Sequence, residues 1–286
     1  MTAALPFTRP PHRLLIEPIV RHAIEEDLGR AGDVTSELTV PADRHIAATL
    51  VARKPGTIAG LVAAQCTFEL VDHSLKIAIT LPDGAQAGAG ATLATIEGSA
   101  RSILTAERVS LNFTGHLSGV ATATRALVDA VAGTKARIVE TRKTTPGLRL
   151  LEKYAVRCGG GFNHRFGLDD AVLIKDNHLV AAGGIAAAVE RVRAGLGHMV
   201  KIELEVDSLA QLEEALGLGV DTILLDNMNT DDLKRAVATT KGRAILEASG
   251  NVTLATVRAI AETGVDYISS GAITHSAPNL DVALDF

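Results

Sequence analysis

The chain contains no tryptophan, only 3% aromatic residues and two cysteines among its 286 residues. A nucleic-acid surface needs a basic face interleaved with stacking rings; here the formal net charge is -5 and rings are scarce, so no nucleic-acid partner is expected. Cys66 and Cys158 stand outside any Cys-x-x-Cys or Cys/His ligand spacing. Neither a disulfide framework nor a zinc site is expected, and both read as small buried hydrophobes. No window approaches the roughly 18 consecutive apolar residues of a membrane span, and Met1–His12 holds three prolines and no apolar core of the kind an export signal needs. A cytoplasmic protein without a membrane partner is the expectation. Gly-x-Gly-x-x-Gly after a first strand is missing too, because Gly159-Gly160-Gly161 follows a predicted helix with the wrong spacing, which argues against a Rossmann dehydrogenase.

Hydrophobic residues, at 47%, are plentiful enough for a large core, and the length suits one large domain or two ordinary ones. Residues 134–274 alternate short runs rich in Val, Ile and Leu with longer amphipathic stretches, the pattern of βα units around a parallel sheet. The pattern predicts strands at 137–141, 171–175, 199–205, 221–226, 243–248 and 265–269, and helices at 147–158, 185–196, 208–217, 229–240 and 253–263. Asp207-Ser208 and Asn229 open two of those helices, and Gly242 and Gly264 close others. Residues 1–133 differ: a helix near 17–28, strand-like runs at 46–53, 75–80 and 91–97, a helix near 60–71, and a long helical region from 100 to 131 with a bend or break expected at Gly115 and Gly119. Gly84–Gly90 reads as a tight structural turn. An α+β domain preceding a βα domain is the simplest division.

From Arg142 to Arg165 the chain carries Arg142, Lys143, Arg149, Lys153, Arg157 and Arg165 against the single acid Glu152. Such a basic centre in an acidic protein suits a small anionic ligand, because clustered cations between low-dielectric walls focus the field. Arg149, Lys153 and Arg157 fall on the helix at 147–158 and read as its solvated face. Arg142, Lys143, Arg165 and Lys175 flank apolar β-type runs instead and can converge at one sheet edge.

Parallel strands offer their carboxyl ends to ligands, so the polar residues closing each run are candidates. In order these are Thr141-Arg142-Lys143, Lys175, Glu203 with Glu205, Asp226, Glu247 to Asn251, and Ser269 to Ala272. Ser249-Gly250-Asn251 and Ser270-Gly271-Ala272 place small residues where bare backbone N–H groups can cradle a phosphate. Glu205 and Asp226 could bind sugar hydroxyls, hold Mg²⁺ beside a polyphosphate, or face positive charge on a ribose carbon. His164, beside Arg165, reads as a carboxylate-binding group and His178 as a residue closing a turn.

Glu140-Thr-Arg-Lys-Thr-Thr-Pro-Gly147, Gly159-Gly-Gly-Phe-Asn-His-Arg165, Leu173-Ile-Lys-Asp-Asn-His178, Glu203-Leu-Glu-Val206, Leu225-Asp-Asn-Met228, Glu247-Ala-Ser-Gly-Asn251 and Ser269-Ser-Gly-Ala-Ile-Thr-His275 together resemble the quinolinate phosphoribosyltransferase (nicotinate-nucleotide pyrophosphorylase, carboxylating) family. Glu26-Asp-Leu-Gly29, Gly32-Asp-Val-Thr35 and Glu107-Arg-Val-Ser-Leu-Asn112 fit it too, so the resemblance runs nearly the whole length. It implies an N-terminal α/β sandwich and an incomplete, seven-stranded α/β barrel of the type II phosphoribosyltransferase kind, divided as 1–116 and 117–274, with 275–286 packing back on the first domain. The implied reaction joins quinolinate to phosphoribosyl pyrophosphate with loss of CO₂ and pyrophosphate.

Resemblance assigns the dicarboxylate to Arg142, His164, Arg165 and Lys175. Lys143 and Lys175 would balance the pyrophosphate together with Mg²⁺ held mainly through that pyrophosphate. Glu205 and Asp226 would face the ribose, and Ser249-Gly250-Asn251 and Ser270-Gly271-Ala272 the 5′-phosphate. Lys143, Lys175, Glu205 and Asp226 are the implied catalytic set; Thr141 and His275 complete the substrate-binding set. Arg108 is implied to reach the neighbouring active site of a homodimer. A same-fold paralogue with another acceptor, such as the molybdenum-locus pyrophosphorylase-like proteins, and a non-catalytic phosphosugar-binding barrel are the alternatives; the latter would not need Arg108, Arg142, Arg165 and Lys175 together.

Overall fold

The computed structural model describes residues 9–286, so Met1–Thr8, part of the stretch read for an export signal, lies outside the described residues. In chain order the elements are α1 (Arg13–Leu28), α2 (Val34–Thr39), β1 (His45–Ala52), β2 (Gly56–Thr57), α3 (Leu61–Val71), β3 (Lys76–Ile79), β4 (Gln86–Ala87), β5 (Ala91–Ser99), α4 (Ala100–Ala130), β6 (Arg137–Val139), α5 (Arg149–Cys158), β7 (Val172–Ile174), α6 (Asp176–Ala182), α7 (Ile185–Gly195), β8 (Ile202–Val206), α8 (Leu209–Leu218), β9 (Thr222–Asp226), α9 (Thr230–Thr240), β10 (Ile245–Ser249), α10 (Val257–Ala261), β11 (Tyr267–Ser269), α11 (Ala272–His275) and β12 (Val282–Asp285). They form two compact units. The first takes the chain up to Arg125 with Thr144–Gly160 and Ala272–Phe286; the second takes Ala126–Lys143 with Gly161–Gly271.

The first unit is built on an antiparallel sheet in the order β12-β1-β5-β3. A bulge in β5, where the pairing passes from Leu50↔Ala94 to Val51↔Thr92, lets Leu93 join Leu50 and Ile96 in a core shared with Phe68 of α3 and Ile103 of α4. Asp33 caps α2 by accepting the Ser36 N–H at 3.0 Å. β4 pairs with β2, and Gly84 (φ 88°) and Gly90 (φ 79°) flank it in the left-handed conformation that a tight turn requires.

Helix α4 is a single α-helix of 31 residues without the expected break. Gly115 and Gly119 serve close approach instead. The Leu280 N–H donates to Gly115 O at 2.9 Å, and a Cβ at Gly119 would stand 2.2 Å from the Pro278 carbonyl oxygen. Gly119→Ala is therefore expected to destabilise by about 2 kcal/mol or more through overpacking, and more than Gly115→Ala, whose Cβ would meet Leu280 O at 3.0 Å. Urea unfolding midpoints read this directly; if the glycines merely bent the helix, alanine at either would raise the midpoint.

Helix α5 is not the solvated face that its charges suggested. Glu152 and Lys153 are buried, and Arg149 and Arg157 are half-buried. The Glu152 carboxylate is satisfied by His116 Nε2 at 2.7 Å and by the Thr145 N–H at 3.1 Å, which is why an acid can sit in this interior. Both cysteines are buried and free. Burial and the nearby Asp83 push the Cys158 thiol up to about 12, so it behaves as an apolar filler.

The second unit is a parallel sheet in the order β6-β11-β10-β9-β8-β7. Each strand starts within three residues of its predicted start, and β6 starts at it, because the Val/Ile/Leu runs are bounded by clear caps. Ser208 accepts the Gln211 N–H, and Asn229 accepts those of Asp231 and Asp232. The seventh position is a single residue: Phe162 forms a parallel bridge to Val139, its N–H donating to Ile138 O at 2.8 Å, while Arg137 stacks over its ring. A strand reduced to one bridge leaves no periodic pattern to read. Helix α10 is shorter than the predicted 253–263 because Thr253 and Thr256 first close a turn, the Thr253 N–H donating to Thr256 Oγ1 at 3.0 Å. Among the described residues no helix is long and apolar enough to cross a membrane.

Candidate active site

At the carboxyl ends of the parallel strands the second unit opens into a cleft of about 500 Å³. Thr141, Arg142 and Lys143 enter it after β6, His164 and Arg165 from the Phe162 segment, Lys175 after β7, Glu205 from β8, Asp226 from β9 and Ser249 from β10. Pairing in register explains the convergence: Ser249 lies beside Asp226 on one side and Ser269 on the other, with Glu205 beside Leu224.

Cations and acids divide the cleft. Lys175 Nζ stands 3.0 Å from Glu205 Oε2. The Lys175 N–H donates to His178 Nδ1 at 2.9 Å, so His178 closes the turn opening α6, a helix that the sequence did not announce. The Lys143 N–H donates to Thr141 Oγ1 at 3.0 Å, tightening the turn after β6. Arg165 Nη1 donates to Ala171 O at 3.2 Å, while its buried Nε has no hydrogen-bond partner in the protein. Burial, and then the nearby Arg142, depress the Arg165 pKa below its ordinary value against the opposing pull of Glu203 and Asp170.

Below the cleft lies a layer of buried acids. Glu140, fully buried, accepts the His164 N–H at 3.1 Å and the Asn163 side-chain amide at 3.1 Å, which anchors the Phe162 segment to the end of β6. The His164 ring was expected to take a ligand carboxylate. Instead Nδ1 accepts the Arg165 N–H at 2.7 Å, and Nε2 lies 3.1 Å from Glu203 Oε2 and 3.6 Å from Glu247 Oε1. Interior positions on β8 and β10 carry these acids, and they turn the ring inward. Burial first, then repulsion from Glu203, push the Glu247 carboxyl above the usual carboxylate range.

The small-residue ends also differ from one another. Gly250 has φ 98°, and a Cβ there would stand 2.0 Å from Asn227 Oδ1. Asn227 itself has φ 54°, receives the Asn251 amide at 3.3 Å and donates to Asp226 Oδ2 at 2.8 Å, so it ties the β9 and β10 ends together. Asn227 was missed as a site residue; the polar pair Asp226-Asn227 closing an apolar strand was the available signal. Ser270 is buried with its N–H committed to Val139 O at 3.0 Å. Gly250, Asn251, Ser270, Gly271, Ala272 and His275 are not among the residues lining the cleft. Ala272 and His275 fall in α11, within the first unit, where His275 Nδ1 contacts Ser276 Oγ at 2.6 Å. Arg108 is exposed on α4, also within the first unit.

Two family models match in tandem: quinolinate phosphoribosyl transferase, N-terminal domain, over residues 33–118, and its C-terminal domain over residues 120–285. The chain belongs to the quinolinate phosphoribosyltransferase family. It is 46% identical to the nicotinate-nucleotide pyrophosphorylase [carboxylating] of Mycobacterium leprae, covering 93% of this chain and 95% of that one. It is 43% identical to quinolinate phosphoribosyltransferase [decarboxylating] 1b of Nicotiana tabacum over 94% of this chain and 81% of that one. The solved structure of the Francisella tularensis nicotinate-nucleotide pyrophosphorylase superposes with a TM-score of 0.93 at 40% identity, covering 97% and 98% of the two chains. The family fold is thus the observed one, an α/β domain followed by a barrel-like parallel sheet.

Proposed function

We propose that the cleft carries out the family reaction, transferring the 5-phosphoribosyl group of phosphoribosyl pyrophosphate to the ring nitrogen of quinolinate with release of pyrophosphate and CO₂. The observation that carries the reading is the Arg142–Arg165 pair: two guanidiniums crowded at one wall, one with a buried and unpartnered N–H, suit a dicarboxylate that supplies bidentate oxygens. Lys143 and Lys175 lie where a leaving pyrophosphate needs balancing charge. Glu205 and Asp226 put negative charge beside the ribose carbon, which becomes positive as the C1–O bond breaks. A sugar-phosphate sensor would need the phosphate loops but not this cation set.

The donor set suits Mg²⁺ arriving on the pyrophosphate. Glu205 Oε2 already faces Lys175 and Asp226 Oδ2 accepts the Asn227 amide, so an all-protein cage is not formed. When bound, Mg²⁺ would neutralise charge on the pyrophosphate oxygens. Ser249-Gly250-Asn251 and Ser270-Gly271-Ala272 are assigned the 5′-phosphate, with His275 near the second loop in sequence. Arg108, exposed on its helix, completes the quinolinate pocket of the partner in a homodimer.

The deciding assay supplies phosphoribosyl pyrophosphate, Mg²⁺ and either quinolinate or nicotinate, following CO₂ and nicotinate mononucleotide. Product from quinolinate and none from nicotinate is expected; the reverse would remove the assignment. Gly250→Ala should raise the KM for phosphoribosyl pyrophosphate about tenfold while leaving that for quinolinate near native, because it strains a left-handed position and displaces Asn227 from the phosphate loop.

A further inference from the structure

We infer that Glu247 is the acid that supplies the pyridine ring with its new hydrogen when CO₂ departs, an inference that rests on the reaction proposed above. Glu247 lies at the middle of β10, in register with Tyr267 of β11 and Leu224 of β9. It lines the substrate cleft and also a second cavity of about 270 Å³, whose walls include Val172, Lys201, Thr222 and Ile245 at the amino ends of the strands. The side chain is only 6% exposed, and its Oε1 makes no hydrogen bond. Facing it are Glu203 from β8, Glu140 from the end of β6 and His164 from the Phe162 segment, which act on its charge together with the Ser269 hydroxyl of β11, while Arg165 and Tyr267 line the same amino-end cavity.

His164, Glu203 and Glu247 bring one ligand-type atom each to within 4.8 Å of one another, which a divalent metal could also exploit. The imidazole decides between metal and proton. Because Nδ1 accepts the Arg165 N–H, the ring hydrogen is on Nε2, where no lone pair remains for a metal. That hydrogen goes to Glu203 Oε2, the nearer carboxylate. Glu247 is left facing two further acids in a buried layer, and holding a proton is how such a group avoids an uncompensated charge.

The chemistry balances without a co-reactant. Once the ring nitrogen is ribosylated and cationic, the C2–carboxylate bond breaks, CO₂ leaves, and the electron pair stays on C2 beside that nitrogen. The pair takes the hydrogen of the Glu247 carboxyl, whose O–H electrons remain as carboxylate. Solvent reaching Glu247 through the amino-end cavity restores the proton while product still fills the cleft. A carboxyl held protonated near neutral pH is suited to this role.

The test uses the full chain with quinolinate, phosphoribosyl pyrophosphate and Mg²⁺. Glu247→Gln copies the shape of the protonated acid, so both KM values should stay within about threefold of native while kcat falls about 10²- to 10⁴-fold. The alkaline limb of the native kcat–pH profile should vanish in Glu247→Gln and persist, displaced, in Glu247→Asp; a merely structural role would lower kcat without moving that limb. Isotope-edited infrared spectra should show a protonated carboxyl at neutral pH that Glu247→Gln abolishes. An active native enzyme with unchanged kcat and pH profile in Glu247→Gln overturns the role of Glu247 alone. A native protein inert toward quinolinate overturns the reaction as well. Stoichiometric Zn²⁺ binding abolished by Glu247→Gln would assign the cluster to a metal and overturn the inference.

Discussion

Arg165→Ala is expected to lower kcat/KM for quinolinate by about 10²- to 10³-fold, because a buried charged hydrogen bond to a carboxylate and the orientation that goes with it are worth about 3–4 kcal/mol together. The guanidinium is held at one end by Ala171 O, at 3.2 Å, and offers its remaining N–H groups to the cleft. Arg165→Lys should recover little of the loss, since a single ammonium cannot reproduce a planar bidentate fork. Stability should move the other way. Burial and the nearby Arg142 disfavour the Arg165 charge more than Glu203 and Asp170 favour it, so the melting temperature of Arg165→Ala should equal or exceed that of the native chain. Unchanged quinolinate kinetics would remove Arg165 from the site, and a large fall in melting temperature would reassign it to the fold.

Lys175→Ala and Arg108→Ala should each be inactive to within about 10³-fold, and an equal mixture of the two should regain about a quarter of native activity. Lys175 is the pyrophosphate-facing cation, set 3.0 Å from Glu205, and nearly half of its side chain is open to solvent. Its value therefore lies in the reaction, since exposed ion pairs add little to stability. If Arg108 serves the partner's site, random exchange makes half the dimers hybrid, each with one site damaged twice and one intact. Recovery must depend on subunit exchange, which differently tagged chains can report. An inactive mixture with confirmed exchange would place Arg108 in its own subunit's chemistry or outside it.

The parallel-strand positions were readable because each is a short β-branched run closed by a polar residue, and the same ends supplied Arg142, Lys143, Lys175, Glu205 and Asp226. All of these line the cleft. What escaped the sequence depends on tertiary context. Phe162 occupies a strand position with one bridge, too short for any period. Glycine in α4 reads as a weak point until the chain at Pro278 is seen against it. Lys153 reads as solvated until α5 is seen buried within the first unit, where His116 also meets Glu152. The inward turn of His164 depends on three acids from three different strand regions, and no local spacing records that meeting.

The pairing of β12 with β1, which sets Asp285 beside Thr49, has a consequence for the order in which the protein is made. A ribosome delivers β1, β3 and β5 early, yet the strand that covers the outer edge of β1 emerges only after every βα unit has been synthesised. Throughout that interval the nascent sheet offers an unpaired row of N–H and C=O groups, the kind of edge that recruits foreign strands. In the parallel-sheet unit only β6 waits comparably, for β11, whereas β7 to β10 each pair with the next strand made. Aggregation during expression should therefore begin at β1, and chaperone capture of stalled chains should end when Val282–Asp285 leaves the exit tunnel.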